Sequence, residues 1–208
     1  MFAAYNGSVM QPFKHLNAIA CPIEGTDINT DQILPGRFMQ KPRINYGDYF
    51  FHDLRPSTDK SADDNTVFAP FRQRYRNAAI LVCDRNFGCG SSREQAVHAA
   101  YDYGIRVVIA PSLGENFQTN CFKNGLLAIT LDEANVVTLR DCLQSASEPQ
   151  LSIDLPEQII CIPGTNITFR YEIDAFSKAS LLSGMDDLDL TLSLLSQLAE
   201  FENKQSAN

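Results

Sequence analysis

Eight consecutive residues, GCGSSREQ from Gly88 to Gln95, combine groups that can hold an anion. Glycines allow backbone amides to come close to a ligand, and the N-terminus of a helix favours negative charge. Arg93 adds a planar fork of donors that matches a carboxylate or a phosphate. Two serine hydroxyls stand directly before that arginine. The segment is therefore a candidate cradle for an oxyanion.

The same residues have a purely structural interpretation as a helix cap. Ser91 and Glu94 have the spacing of a capping box, in which the serine hydroxyl accepts from the amide of Glu94 and the carboxylate reaches back to the amide of Ser91. A cap does not explain Arg93 in the first helical turn, where the helix dipole disfavours a cation. Both interpretations stay open, because one turn can begin a helix and also hold an anion.

Three glycine-containing motifs of known chemistry do not match the segment. A dinucleotide-binding fingerprint needs a third glycine where Arg93 stands. A phosphate-binding loop must end in Gly-Lys-Ser/Thr, and a nucleophile elbow needs a last glycine where an acidic or amide residue stands. A free-standing serine hydrolase is therefore disfavoured. His15, His52 and His98 are not favoured as catalytic groups, and His98 lies one helical turn from Glu94, where a local pair is expected.

The flanking segments alternate between strand and helix patterns. The apolar runs AAILVC and RVVIA predict strands covered on both faces, and QAVHAAYDY between them predicts a helix that ends at Gly104. Continuous apolar strands of this kind indicate a parallel, right-handed unit. The next stretch, PSLGENFQTNCFKNGLLAITL, repeats the pattern, with Ser112 and Glu115 in capping-box spacing and Asn124-Gly125 as the helix end.

Further elements are predicted towards the C-terminus. Val136, Leu139 and Leu143 are spaced along one face of an amphipathic helix. The segments LSIDL, QIICI and NITFRYEI predict strands around a Pro-Gly turn. The tail is helical in composition and interrupted at Gly184. Four of its leucines lie on a common side: Leu188, Leu192, Leu195 and Leu198. Residues 53–66 are very polar and predict a surface loop.

Size and composition restrict the class of protein. A chain of 208 residues with 44% hydrophobic residues can bury one sizeable core. We expect a single domain over residues 1–208, with its core at about residues 12–200 and a C-terminal helical extension over residues 174–208. A net charge of −8 opposes broad affinity for nucleic acid or for anionic membranes.

The termini and the cysteines indicate the compartment. The N-terminus lacks a signal-peptide pattern and no apolar run reaches transmembrane length, so we expect a soluble cytoplasmic protein. The six cysteines have neither Cys-x-x-Cys nor zinc spacing. We therefore expect reduced thiols and no metal site built by this chain alone.

Three segments together resemble one family. NTDQILPGRFMQK comes first, NFGCGSSRE with YGIRVVIAPSLGENFQTNCFKNGLL follows, and IDAFSKASLLSGMDDLDLTL comes last, in the family's order. They resemble the bacterial small subunit of 3-isopropylmalate dehydratase and the swivelling domain of aconitase, over roughly residues 12–200. The resemblance implies an α/β fold, a swivelling β/β/α domain of the aconitase C-terminal type with mixed strands partly closed into a barrel and helices outside.

A reaction and a partner are implied as well. In this family 2-isopropylmalate loses water to give isopropylmaleate, which is rehydrated to 3-isopropylmalate in leucine biosynthesis. A base removes the proton beside a carboxylate, and a Lewis acid helps the hydroxyl to leave. The Lewis acid is a 4Fe-4S cluster held by cysteines of the large subunit. The resemblance thus implies that this chain binds no cofactor itself and is inactive without that partner.

Site roles also follow from the resemblance. It makes Ser91 the catalytic base and lets Ser92 and Arg93 bind substrate carboxylates. Gly88, Gly90 and Glu94 then shape the turn.

The loop GRFMQK matches the region where the family sets side-chain selectivity, which places a run of residues near the variable group of the substrate: Arg37, Phe38, Met39, Gln40 and Lys41. Arg37 as a plain surface arginine, and Phe38 and Met39 as core residues, stay open as alternatives.

Two positions depart from the family's pattern. Gln95 stands where a histidine usually follows the Ser-Ser-Arg-Glu run, and Asp189 replaces a glycine common near the C-terminus. Relatives that act on citramalate, homoaconitate or dimethylmalate share much of the pattern, so those substrates stay open. A non-catalytic module that binds an acidic metabolite or a phosphate is a further alternative.

Overall fold

Seven strands form one mixed sheet in the computed structural model, which describes residues 10–56 and 68–185. The strands are β1 His15–Pro22, β2 Ile80–Val82, β3 Val107–Ala110, β4 Leu127–Thr130, β5 Gln150–Asp154, β6 Ile159–Cys161 and β7 Thr168–Arg170. Their order in the sheet is β4-β3-β2-β1-β5-β6-β7. β1 to β4 are mutually parallel, whereas β5, β6 and β7 extend the sheet from β1 in antiparallel fashion. The sheet is an open half-barrel, in agreement with the mixed, partly closed fold implied by the resemblance.

Within residues 10–56 and 68–185, five α-helices connect and cover the strands: α1 Thr30–Ile33, α2 Glu94–Tyr103, α3 Glu115–Lys123, α4 Glu133–Ser145 and α5 Ala175–Ser183. Short 3-10 helices lie at Gly36–Phe38, Tyr46–Tyr49, His52–Leu54, Ala69–Phe71 and Gln73–Tyr75. No helix within residues 10–56 or 68–185 combines the length and the apolar character needed to span a membrane.

The parallel half of the sheet separates two hydrophobic cores because successive side chains on a strand point to opposite faces. On one face, Leu81 and Val108 pack with residues of α2 and α3. On the other face, Ile80 and Val107 pack with α4 through the predicted helix face of Val136, Leu139 and Leu143. All residues of β2 and β3 are buried, which confirms the strands predicted from continuous apolar runs.

Helix ends agree with the sequence prediction better than helix starts. α2 ends at Gly104, whose φ of 117° is in the left-handed region, and α3 ends at Asn124 before Gly125. The predicted capping box of Ser112 and Glu115 is wrong. Gly114 is the N-cap of α3, and the Ser112 hydroxyl instead accepts from the amide of Asn86 at 2.9 Å.

The C-terminal predictions are confirmed as far as the described residues reach. The three predicted strands correspond to β5, β6 and β7, and α5 ends at Gly184 with a φ of 70°. Three features lie outside the described residues: the predicted leucine face of the tail, Asp189, and most of the polar 53–66 stretch. That residues 1–208 form a single domain stays a prediction.

Candidate active site

The GCGSSREQ motif connects β2 to α2 at the carboxyl edge of the parallel strands. Two isolated parallel bridges join this connection to its neighbours, one between Asn29 and Cys89 and the other between Phe87 and Leu113. The loops that follow β1, β2 and β3 therefore meet around the motif. Ligands of open α/β sheets bind at this edge, where the topology opens a crevice.

Gly88 and Gly90 hold backbone conformations that favour glycine. Their φ angles are 74° and 94°, both in the left-handed region. Gly88 is also tightly packed, because a Cβ there would overlap the ring of Phe117, and a Cβ on Gly114 would overlap the carbonyl of Gly88. The tight turn of the motif therefore depends on glycine at both positions of the predicted turn.

The predicted capping box of Ser91 and Glu94 is wrong. The N-cap of α2 is Arg93, with no side-chain capping bond within the described chain, so Glu94 is the first helical residue instead of the third. The Glu94 carboxylate accepts from Asn124 Nδ2 at 2.9 Å, and its distance of 3.9 Å from His98 Nε2 confirms the expected local pair. The helix starts later than the spacing predicts because the Ser91 carbonyl accepts from the amide of Arg93 at 2.7 Å in a tight turn.

Both serine hydroxyls are consequently left for a ligand. Ser91 and Ser92 are exposed, and neither hydroxyl makes a hydrogen bond to another residue in the described ranges. The amides of Glu94 and Gln95 begin α2 and have no partner within the helix. These hydroxyls and amides lie within one turn of chain and are suited to an anion.

Arg93 already binds one carboxylate. Its Nη1 donates to Oδ1 of Asp31, in α1, and the arginine side chain is 20% exposed whereas the aspartate is 57% exposed. Gly36 lies against the same guanidinium, since a Cβ there would be 3.6 Å from Nη1 and 3.8 Å from Nη2. The pairing with Asp31 accounts for an arginine at a helix start, which the spacing alone left unexplained.

The predicted selectivity loop divides into a packed part and an exposed part. Phe38 stacks on Tyr49 with ring centroids 4.3 Å apart, and Phe38 and Met39 both pack partly against the core. Gln40 and Lys41 are exposed. Phe38 and Met39 contact the core and also keep some exposed surface. They could therefore serve both as core residues and as substrate contacts.

Arg37 lies in an exposed ion pair. Its guanidinium donates to both carboxylate oxygens of Asp53 and lies 4.7 Å from the centroid of the Phe38 ring. Hydrogen bonds from Arg37 and then His52 lower the pKa of Asp53 to about 2. Arg37, the first side chain of the loop, is thus paired with Asp53 at the protein surface.

Sequence reasoning missed the contacts that hold this loop on α2. Arg43 donates to Asp102 through Nε at 3.2 Å and Nη2 at 2.9 Å, with both side chains largely buried. The Tyr46 hydroxyl donates to the carbonyl of Lys41 at 2.6 Å. Gly47 packs so closely that a Cβ there would lie 2.7 Å from the amide of Tyr103. The contacts of Arg43 with Asp102 and of Gly47 with Tyr103 join residues more than 50 positions apart, for which a single sequence gives no local signal.

The cysteines do not form a cluster site. All six are free thiols, and Cys21, Cys83 and Cys121 are buried, where desolvation raises the pKa of each thiol. No group of three His, Cys, Asp or Glu side chains in the described ranges is placed to hold a metal ion. The described residues of this chain therefore do not fit an iron-sulfur cluster.

Comparison with known proteins gives consistent matches along the chain. Residues 10–134 match the family model described as the aconitase C-terminal domain. The 3-isopropylmalate dehydratase small subunit of Leptospira interrogans is 41% identical over 197 residues, which cover 94% of this chain and 95% of that protein. The small subunit of Dinoroseobacter shibae is 40% identical over 199 residues, covering 95% and 98%.

A solved structure is also similar. The crystal structure of 3-isopropylmalate dehydratase from Methanocaldococcus jannaschii has a TM-score of 0.63 and 26% sequence identity, and the match covers 89% of this chain and 99% of that one.

Proposed function

The chain belongs to the aconitase C-terminal domain family and to the small subunits of 3-isopropylmalate dehydratase, and from this premise we propose how its residues take part in the reaction. That enzyme is a hydro-lyase of leucine biosynthesis, which isomerises 2-isopropylmalate to 3-isopropylmalate by removing and adding back water. The reaction needs a base for a weakly acidic C–H beside a carboxylate, and a group that assists the departing hydroxyl.

Ser91 is the base in this proposal. The observation that carries the assignment is that its hydroxyl takes no part in the helix cap and lies two residues from an arginine that binds a carboxylate. The serine oxygen removes the proton from carbon as the hydroxyl leaves, and returns a proton to carbon when water adds. A serine alkoxide is costly near neutral pH. The unpaired amides at the start of α2, the helix dipole and the Arg93 cation all lower that cost.

Ser92 and Arg93 bind substrate carboxylates. A guanidinium has five N–H donors, and Asp31 accepts from one terminal nitrogen of Arg93, so the remaining donors suit a second carboxylate. Ser92 contributes an exposed hydroxyl next to them. Gly88 and Gly90 keep the backbone in the turn that brings these groups together.

The loop from Arg37 to Lys41 contacts the variable group of the substrate in this proposal. Phe38 and Met39 keep exposed apolar surface while their positions are set by packing on the core, which suits a branched alkyl group. Gln40 and Lys41 extend beyond them into solvent.

The subunit acts with a large partner that carries a 4Fe-4S cluster. The name of the relatives, small subunit, supports a heteromeric enzyme, and the scattered cysteines of this chain supply no site for a cluster. The cluster, when present in the partner, supplies the Lewis acid that assists departure of the substrate hydroxyl. The proposed location is the cytoplasm, because the relatives are enzymes of amino-acid biosynthesis.

The decisive experiment compares Ser91→Ala with wild type after anaerobic co-production with a candidate large subunit. We expect kcat for 2-isopropylmalate to fall by at least about 100-fold, because a positioned acid–base group contributes about 10²–10⁴ to the rate. Assembly measured by size-exclusion chromatography should be unchanged. Ser145→Ala, an exposed serine at the end of α4, is the matched control and should keep wild-type turnover.

Near-normal turnover of the Ser91→Ala complex would overturn the assignment of Ser91. The same preparation should also be assayed with citramalate and homoaconitate-type substrates. A higher kcat/KM for either of these compounds would show that it, and not 2-isopropylmalate, is the preferred substrate. The proposed roles of the serines and of Arg93 would stay the same.

A further inference from the structure

Thr30 is the most buried polar side chain in the described ranges. It is 1% exposed, and the other buried polar or charged residue there is Ser180, at 2%. Thr30 begins α1, between the N-cap Asn29 and the Arg93 partner Asp31. A buried hydroxyl requires a hydrogen-bond partner, because an unpaired one costs about 1–3 kcal/mol. The partner of Thr30 lies 61 residues away, in the GCGSSREQ motif.

One residue holds two carbonyls of that motif. The Thr30 amide donates to the carbonyl of Cys89 at 2.9 Å, and the Thr30 hydroxyl donates to the carbonyl of Ser91 at 3.0 Å. The amide of Gly88 donates back to the carbonyl of Ile28 at 2.7 Å. The two segments therefore form a short parallel ladder whose last hydrogen bond comes from a side chain instead of a backbone amide.

The last hydrogen bond of this ladder holds the residue that would be the N-cap of α2 in a capping box. The carbonyl of a serine that caps a helix accepts the first hydrogen bond from a helical amide. The Ser91 carbonyl is instead held by Thr30 and by the amide of Arg93. Ser91 is thereby kept outside the helix, and its hydroxyl stays available, as the absence of a side-chain cap on α2 within the described chain indicates.

We propose that Thr30 is a positioning residue for Ser91, acting through the hydrogen bond from its buried hydroxyl to the Ser91 carbonyl. The inference rests on the proposed role of Ser91 as the base. The bond fixes the peptide group of the residue that must exchange a proton with substrate carbon. It also neutralises part of the negative end of a carbonyl that belongs to the same residue as the developing alkoxide. Thr30 itself touches no reacting atom.

The test uses three variants of the reconstituted complex with the large subunit. Thr30→Val keeps the size of the side chain and removes the donor, whereas Thr30→Ser keeps the donor. We expect Thr30→Val to lower kcat about 10- to 100-fold, because small misplacements of a reacting group have effects of that order, with KM for 2-isopropylmalate nearly unchanged. In a plot of kcat against pH, the pH at which kcat rises should be higher for Thr30→Val than for wild type. Thr30→Ser should restore kcat.

Ser180→Ala is the matched control, since it removes the other buried hydroxyl. Ser180 lies in α5, and its hydroxyl donates to the carbonyl of Met185, just after the helix, at 2.7 Å. It should lower thermal stability to a similar degree and keep wild-type kcat. If Thr30→Val does not assemble, Thr30→Ala, which also removes the donor, takes its place. Wild-type kcat and a wild-type pH profile in the assembled variant that lacks the hydroxyl would overturn the proposal.

The outcome separates this inference from the proposed function. If Ser91→Ala is inactive while Thr30→Val has a wild-type kcat, Ser91 stays the base and only the role of Thr30 is wrong. If Ser91→Ala turns over normally, the proposed base is wrong, whatever Thr30→Val does.

Discussion

Arg93 interacts with two anions in the proposed reaction, Asp31 and a substrate carboxylate. A lysine at this position would keep the charge and the pairing with Asp31, but it would lose the planar fork that can serve both partners. We predict that Arg93→Lys raises KM about 10- to 100-fold, because hydrogen bonds to charged groups contribute about 1.5–3 kcal/mol. Steady-state kinetics of the reconstituted complex measure this effect.

Arg170→Lys is the control for the Arg93 prediction. Arg170 is exposed on β7, an edge strand of the sheet, and is not part of the motif, so the same substitution should leave KM unchanged. A normal KM for Arg93→Lys would show that Arg93 does not bind the substrate carboxylate and serves to hold Asp31.

Residue types predicted the chemistry of the site better than they predicted its hydrogen bonds. The glycines, the serines and Arg93 could be chosen from the sequence because each has a known use around an anion. Asp31 and Thr30 could not be chosen, although they lie in a segment that resembles the family. Their significance depends on partners about 60 residues away, and a single sequence does not show which pairs meet.

Helices α2 and α3 are joined by His98. Its Nε2 lies 3.0 Å from Oδ1 of Asn124 at the end of α3, and its side chain is 16% exposed. Burial is the largest cause that lowers the pKa of His98, followed by the Arg43 cation. The unfolded chain, with a histidine pKa of about 6.5, therefore binds a proton more readily than the folded chain. The folded subunit should lose stability as pH falls below about 6.5, and the contribution of His98 is fully present above that value.

We predict that His98→Gln reduces this pH dependence. Glutamine does not titrate, so the decrease in the free energy of unfolding between pH 7.5 and pH 5.5 should become smaller than in wild type. Urea unfolding of the subunit at the two pH values measures it. An equal decrease in wild type and in His98→Gln would contradict the predicted effect of burial.

Helices and strands were predictable where local sequence determines them. Continuous apolar runs identified β2 and β3, and Gly104 identified the end of α2. Both predicted capping boxes were wrong for a tertiary reason. Ser91 is held by Thr30 through its carbonyl, and the Ser112 hydroxyl accepts from Asn86, so neighbouring loops use the groups that a cap would need. A spacing motif does not show that competition.

At the scale of the whole molecule, the fold follows from the order of its strands. The parallel strands β1 to β4 bring the loops after β1, β2 and β3 to one edge, and the antiparallel strands β5 to β7 extend the sheet on the other side of β1. The resemblance implied this mixed fold, whereas apolar patterns alone indicated only the parallel unit. The anchoring of the selectivity loop on α2 through Arg43 and Asp102 depends on this arrangement and could not be predicted from spacing.

The proposed reaction needs the cluster of the partner close to Ser91, so we expect the large subunit to cover the carboxyl edge of the parallel strands. The cysteines can test this placement. Cys89 lies inside the motif and is partly exposed, whereas Cys142 on α4 and Cys161 on β6 are partly exposed elsewhere. We predict that a bulky maleimide modifies these three partly exposed cysteines in the isolated subunit. The three buried cysteines, Cys21, Cys83 and Cys121, should react more slowly. In the active complex, only Cys89 should become protected.

Peptide mass spectrometry after timed labelling measures each site separately, and Cys142 and Cys161 serve as internal controls. Protection of those two with continued labelling of Cys89 would mean that the partner covers a different surface. The proposed site would then lack the cluster that the reaction needs, because the described cysteines of this chain are too scattered to hold one. Selective protection of Cys89 would instead place the partner against the turn that carries Ser91.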